Sequence, residues 1–145
     1  VSVTSQTALN RIRQVGEVEE VFYSLTHQAI GTADAIGEYH NDANQLILEM
    51  PPDTDGARRY TVIGCLHPGK IARLDIVDHQ GTLSPGYFKT FALPVRSVEF
   101  SEKTEGMIGL NLMVTNAAKA PGKAPIPYSF VAAFRSKNPN KGRSS

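Results

Sequence analysis

A single cysteine, Cys65, stands among 145 residues, which excludes an internal disulfide and any metal cluster built from thiolates of this chain. An excess of one charge is missing too: 15 Lys and Arg meet 14 Asp and Glu, so no global field draws the chain to nucleic acid or to an acidic membrane surface. No nucleic-acid partner is expected. Uninterrupted apolar runs all fall well short of the roughly 20 residues that cross a bilayer, and the opening residues do not read as a signal peptide. The chain as given reads as soluble, and its start at Val1, without methionine and in a Ser/Thr/Gln stretch, is compatible with a processed or trimmed product.

Chemistry-bearing constellations are equally scarce. His27, His40, His67 and His79 are scattered, one in a helix and three in different turns, with no pair at the i, i+4 spacing of a helical zinc site. Asp53-Thr54-Asp55-Gly56 opens like a calcium loop, but Arg58 stands where that loop needs glycine and Gly64 where it needs its closing glutamate. Cys65 and His67, two apart on a strand, share a face, yet a cysteine inside an apolar strand reads as a small core residue. Ser84 lacks the glycine frame of a hydrolase elbow, and Gly106-x-x-Gly109 lies between strands rather than before a helix. Asp75 and Asp78 read as solvated residues at a strand end. No catalytic, cofactor-binding or metal-binding residue is assigned, no cofactor is expected, and the chain does not read as an enzyme.

What the sequence does have is one long helical period. Ala8, Ile12, Val15, Val18, Phe22, Leu25, Ala29, Ala33 and Ile36 recur at spacings of three or four and predict an amphipathic helix over Ala8–Ile36, with Gly37 as terminator. Arg11, Arg13, Gln14, Glu17 and Glu20 fall on its wet side. After it the period changes to alternation. Strands are predicted over Gln45–Met50, Arg59–Leu66, Lys70–Val77, Val95–Ser101, Met107–Thr115 and Tyr128–Phe134. The second has two largely apolar faces, as a central strand should, and His67-Pro68-Gly69-Lys70 joins it to the third by a type II turn. Asp78–Pro94, broken by Gly81, Pro85, Gly86 and Pro94, reads as a surface connection whose Tyr87, Phe88 and Phe91 tuck under a sheet edge. Asn116–Pro127 reads as an extended loop.

These elements predict a single α+β domain over residues 1–136, a long N-terminal helix packed on an antiparallel sheet, followed by a flexible basic tail at 137–145. A helix of about 29 residues is roughly 43 Å long, whereas a strand of seven spans only about 23 Å. Its N-terminal turns should therefore overhang the sheet.

Taken in order, Leu9-Asn-Arg-Ile12 in the helix, Asn44-Gln-Leu-Ile-Leu48, Tyr60-Thr-Val-Ile63, Gly69-Lys-Ile-Ala-Arg73, Leu93-Pro-Val95-Arg-Ser-Val98-Glu-Phe100, Gly109-Leu-Asn-Leu112 and Ala133-Phe-Arg135 resemble the soluble part of a type IV pilin-like protein, in particular a minor pseudopilin of type II secretion systems. The resemblance implies a pilin-like fold. It also implies a structural subunit of a pilus or pseudopilus that works by packing against other pilin or pseudopilin subunits. A membrane-anchoring segment before Val1, absent here, would hold it in the inner membrane, its globular part periplasmic or extracellular. Ile12, Val15, Val18, Phe22 and Leu25 would carry the helix packing, and Arg11, Arg13, Glu17 and Glu20 inter-subunit ion pairs, each individually weak. The alternatives are a small ligand-binding or regulatory module of the PilZ kind, built on Arg58-Arg59, and an enzyme with a pocket under Asp78–Pro94.

Overall fold

The computed structural model describes residues 3–67, 70–103, 106–115 and 124–134. The Pro68-Gly69 turn, most of the Asn116–Pro127 connection and the tail at 137–145 lie outside the described residues. One helix, α1 (Val3–Gln28), precedes nine strands: β1 (Gly31–Thr32), β2 (Ala35–Ile36), β3 (Tyr39–His40), β4 (Gln45–Met50), β5 (Arg58–His67), β6 (Lys70–His79), β7 (Thr82–Glu102), β8 (Met107–Val114) and β9 (Ile126–Ala133). Seven of them form an antiparallel sheet in the order β1-β4-β5-β6-β7-β8-β9, and β2 pairs with β3 in a separate ribbon.

This architecture corrects the expected fold class. The chain is β-rich, dominated by the seven-stranded sheet, rather than a pilin-like α+β domain with a long helix on a small sheet. Two misreadings account for the difference. First, the helix ends at Gln28, not Ile36. Ile30 N–H donates to the Glu49 carbonyl at 2.8 Å and Ala33 N–H to the Ile47 carbonyl at 3.1 Å, so the chain leaves the helix directly onto the edge of β4. Gly31 and the β-branched Thr32 make poor helix, and pairing with a strand satisfies the backbone instead. Ala33 and Ile36 match the helical spacing but pack elsewhere, and Gly37, at φ +60°, turns the β2–β3 ribbon rather than capping a helix.

Second, Asp78–Pro94 is no surface connection. Gln80 and Gly81 both have positive φ, 54° and 95°, the conformation of a type I′ hairpin turn, and the Asp78 carboxylate accepts the Gly81 N–H at 2.7 Å. From there β7 runs for 21 residues. Its first part pairs with β6 and its last part with β8. Register shifts between Lys70 and Ala72 on one side, and between Val95 and Ser97 on the other, bracket the change of partner. Bulges of this kind bend a strand and sharpen its twist.

The middle of the sheet, β4–β6, is buried on both faces. On one, Val15, Val18, Phe22 and Leu25 of α1, with Ala29 just after it, meet Leu46, Leu48, Ile63, Phe91, Leu93, Phe100 and Leu112 in the larger core. Each fully buried aliphatic or aromatic side chain there contributes about 1.5–3 kcal/mol. On the other, Ile36, with Ala33 and Tyr39, covers Ile47, Tyr60, Val62, Leu74 and Ile76. The two apolar faces of β5 thus have two covers. Gly64, on that strand, has φ +151°, and a Cβ there would run into the Asn44 backbone; only glycine lets β4 and β5 come this close.

Candidate functional site

Two regions present chemistry or unmatched surface. The first is the start of α1. The residues expected to pack the helix divide: Val15, Val18, Phe22 and Leu25 are buried, but Leu9 and Ile12 are each 62% exposed. Ile12 therefore does not carry the helix-to-sheet contact assigned to it. With 26 residues the helix measures about 39 Å, nearly twice the roughly 20 Å of six-residue β4. Of the charged residues expected beside it, Arg13, Glu17 and Glu20 are exposed. Arg11 is half-buried and donates through Nη1 to Gln14 Oε1 at 3.0 Å. Among the described residues none of the four forms an ion pair within the chain.

The second is a cleft of about 630 Å³ between the later turns of α1 and the helix-facing side of β4, β5 and β6. Alternation builds its floor. Arg59 and Thr61 on β5 point to the helix side, and Thr61 lies opposite Asp75 of β6. The Thr61 hydroxyl donates to Asp75 Oδ1 at 3.0 Å. Arg73 grips the same carboxylate with two bonds, Nε to Oδ1 and Nη2 to Oδ2, both 3.1 Å. Its guanidinium also lies 5.0 Å from the centre of the Tyr87 ring. Two-pronged pairs of this sort fix a carboxylate's orientation as well as its charge. Arg59 is held differently, Nε donating to the Pro51 carbonyl at 2.9 Å. From the helix, Glu20, Ser24 and Gln28 complete the wall, with Gln28 Nε2 donating to Ser24 Oγ at 2.9 Å.

Sequence reasoning missed this cleft. Asp75 is not a solvated residue at a strand end, as expected, but the centre of a polar trio; Asp78 does sit at the turn. The available signal was that Arg59, Thr61, Arg73 and Asp75 all occupy one alternation phase of two paired strands, which reads as a wet face until a helix covers it. Adjacent Arg58 and Arg59 point to opposite faces, Arg58 reaching Glu49 at 3.8 Å.

The remaining candidates are dispersed. Cys65 is half-buried at the margin of the larger core, and burial pushes its thiol up, away from the reactive thiolate. Burial, then the Glu38 carboxylate, likewise raises the Tyr39 phenol. No three His, Cys, Asp or Glu side chains converge among the described residues, and no described helix is long and apolar enough to cross a membrane. No family model, curated protein or solved structure matches the chain.

Proposed function

We propose that this chain is a structural subunit of an envelope filament, a minor pilin or pseudopilin of a type IV pilus or type II secretion system, working by subunit packing and not by catalysis. The observation that carries the reading is the exposure of two large apolar side chains, Leu9 and Ile12, before the covered part of α1. Ile12 belongs to the apolar stripe read from the sequence, and among the described side chains of that stripe the fold covers those from Val15 onward. An apolar edge on a rigid rod is an interface in want of a second surface. The sequence resemblance names the kind of filament. Shared architecture is no part of the proposal.

In this reading Leu9 and Ile12 pack against neighbouring subunits, and Arg13, Glu17 and Glu20 set their register through solvent-exposed ion pairs. A segment preceding Val1 anchors the subunit in the inner membrane, leaving the described part in the periplasm or outside the cell. Two measurements test it. The gene should encode an apolar run of about 20 residues directly before Val1. Cysteine placed at Leu9 or Ile12 in the full-length protein should crosslink in cells to another subunit of the same filament. A polar sequence before Val1, or cysteines that never crosslink, would sink the proposal.

A further inference from the structure

We propose that the cleft between α1 and the β5–β6 floor binds a small monocarboxylate with an apolar body, its carboxylate seated on Arg59. Arg59 is half-buried, its plane is set by the bond from Nε to the Pro51 carbonyl, and among the described residues no carboxylate pairs with it. Its two Nη groups are the donors left over. The neighbouring cation is in a different state: Arg73 is neutralised by Asp75, which Thr61 also binds. The cleft therefore offers one uncompensated guanidinium fork beside an internally satisfied trio. Such a fork matches a carboxylate or a phosphate in shape.

Charge decides between them. With Asp75 balanced by Arg73, the lining's unpaired charges among the described residues are Arg59 and Glu20, so a monoanion is matched by the Arg59 fork while the second charge of a dianionic phosphate finds no free cation in that lining and adds repulsion from Glu20. The rest of the lining describes the ligand's other end. Val21, Leu25, Met50 and Val77 supply apolar wall, and the Tyr87 ring, half-exposed, stands at the mouth. At about 630 Å³ the space lies within the range that small-molecule sites occupy, roughly 300–1,000 Å³. An aromatic or branched-chain acid satisfies both ends; a polyanion or a sugar satisfies neither. This site does not depend on the filament reading: it lies away from Leu9 and Ile12 and shares only Glu20 with the residues given to assembly.

Titration of the chain with benzoate, followed by calorimetry and amide NMR, tests the assignment. Saturable binding is expected, with shifts confined to the second half of α1 and to β4–β6. Arg59→Gln should weaken it at least tenfold, Glu20→Gln should tighten it about twofold or more, and the neutral isostere benzamide should bind at least tenfold more weakly. If Arg59→Gln does not fold, the exposed Glu20→Gln variant and the benzamide comparison still decide. Absence of saturable benzoate binding, equal binding of benzamide, tighter binding of inorganic phosphate, or a folded Arg59→Gln variant with unchanged affinity would overturn the proposal.

Discussion

Val18 and Phe22, in the second half of α1, are sealed against the sheet, whereas Ile12, earlier on the predicted stripe, is 62% exposed. Ile12 follows the same spacing of three or four as the buried residues, whereas Leu9, at about 100° per residue, points well away from the side that Val18 and Phe22 bury. The difference is made by what lies opposite: strands β4, β7 and β9 contact the helix and form one wall of the larger core, and beyond their reach the stripe has nothing to lean on. Periodicity therefore reports which side of a helix is apolar. It does not report how far along that side the fold extends.

The sharpest way to break this contrast is Phe22→Ala, which removes a fully buried ring in contact with Phe100. Thermal and urea unfolding should show a loss of about 3–5 kcal/mol. A melting temperature equal to that of the parent would mean that the covered half is not covered. Next in size is Gly64→Ala, which attacks the wall rather than the helix. A side chain at φ +151° facing the Asn44 backbone should cost about 2–3 kcal/mol, with β4 amides losing hydrogen-exchange protection first.

Thr26 sharpens the comparison from the opposite direction. It is wholly buried on the covered half, and its hydroxyl has no partner among the described residues. Thr26→Val keeps the shape and removes the stranded polar group, so unfolding experiments should show a gain of about 1 kcal/mol; a loss of that size would reveal a partner for the hydroxyl. On the bare half, Ile12→Ser should change stability by less than about 0.5 kcal/mol, as surface substitutions do, while abolishing assembly in the full-length protein. A marked fall in melting temperature would show that Ile12 is packed within its own fold.

The smallest effect concerns Cys65, at the margin of the covered region. Its thiol pKa is raised by burial, so in the folded chain the proton is held to higher pH than in the unfolded chain. Any stability it contributes is present below the ordinary thiol pKa and is lost as pH rises through the folded value. Alkylation by iodoacetamide at pH 8 should be slower in the native protein than in urea, the two rates converging at more alkaline pH. Equal rates at pH 8 would place the thiol in open solvent.

The strands with strict alternation were legible in the sequence. Leu46, Leu48 and Met50 share a face as expected, and Ile108, Leu110, Leu112 and Val114 line up in β8. The two apolar faces of β5 correctly announced a strand covered on both sides. The helix end was not legible, because Ala33 and Ile36 satisfy a 3.6-residue period while belonging to a second core on the far side of the sheet. Nor was the first part of β7: Pro85 and Gly86 look like breakers, yet both are tolerated where a strand is paired on one side only. The cleft was hidden for a related reason. Arg59, Thr61, Arg73 and Asp75 carry the polarity of a solvent face, and only the helix laid across them turns that face into a recess.

The two allegiances of β7 have a mechanical corollary. Hydrogen bonding links it to β6 early in its length and to β8 late, so the chain passes from one wing of the sheet to the other through the short stretch around Phe91–Val95, where neither partner holds the backbone in regular register. Those residues are anchored instead by side chains sunk beneath α1. The helix thus serves as a rivet between the two wings of the sheet, beside the backbone bond from Phe100 N–H to the Ala43 carbonyl at 2.7 Å.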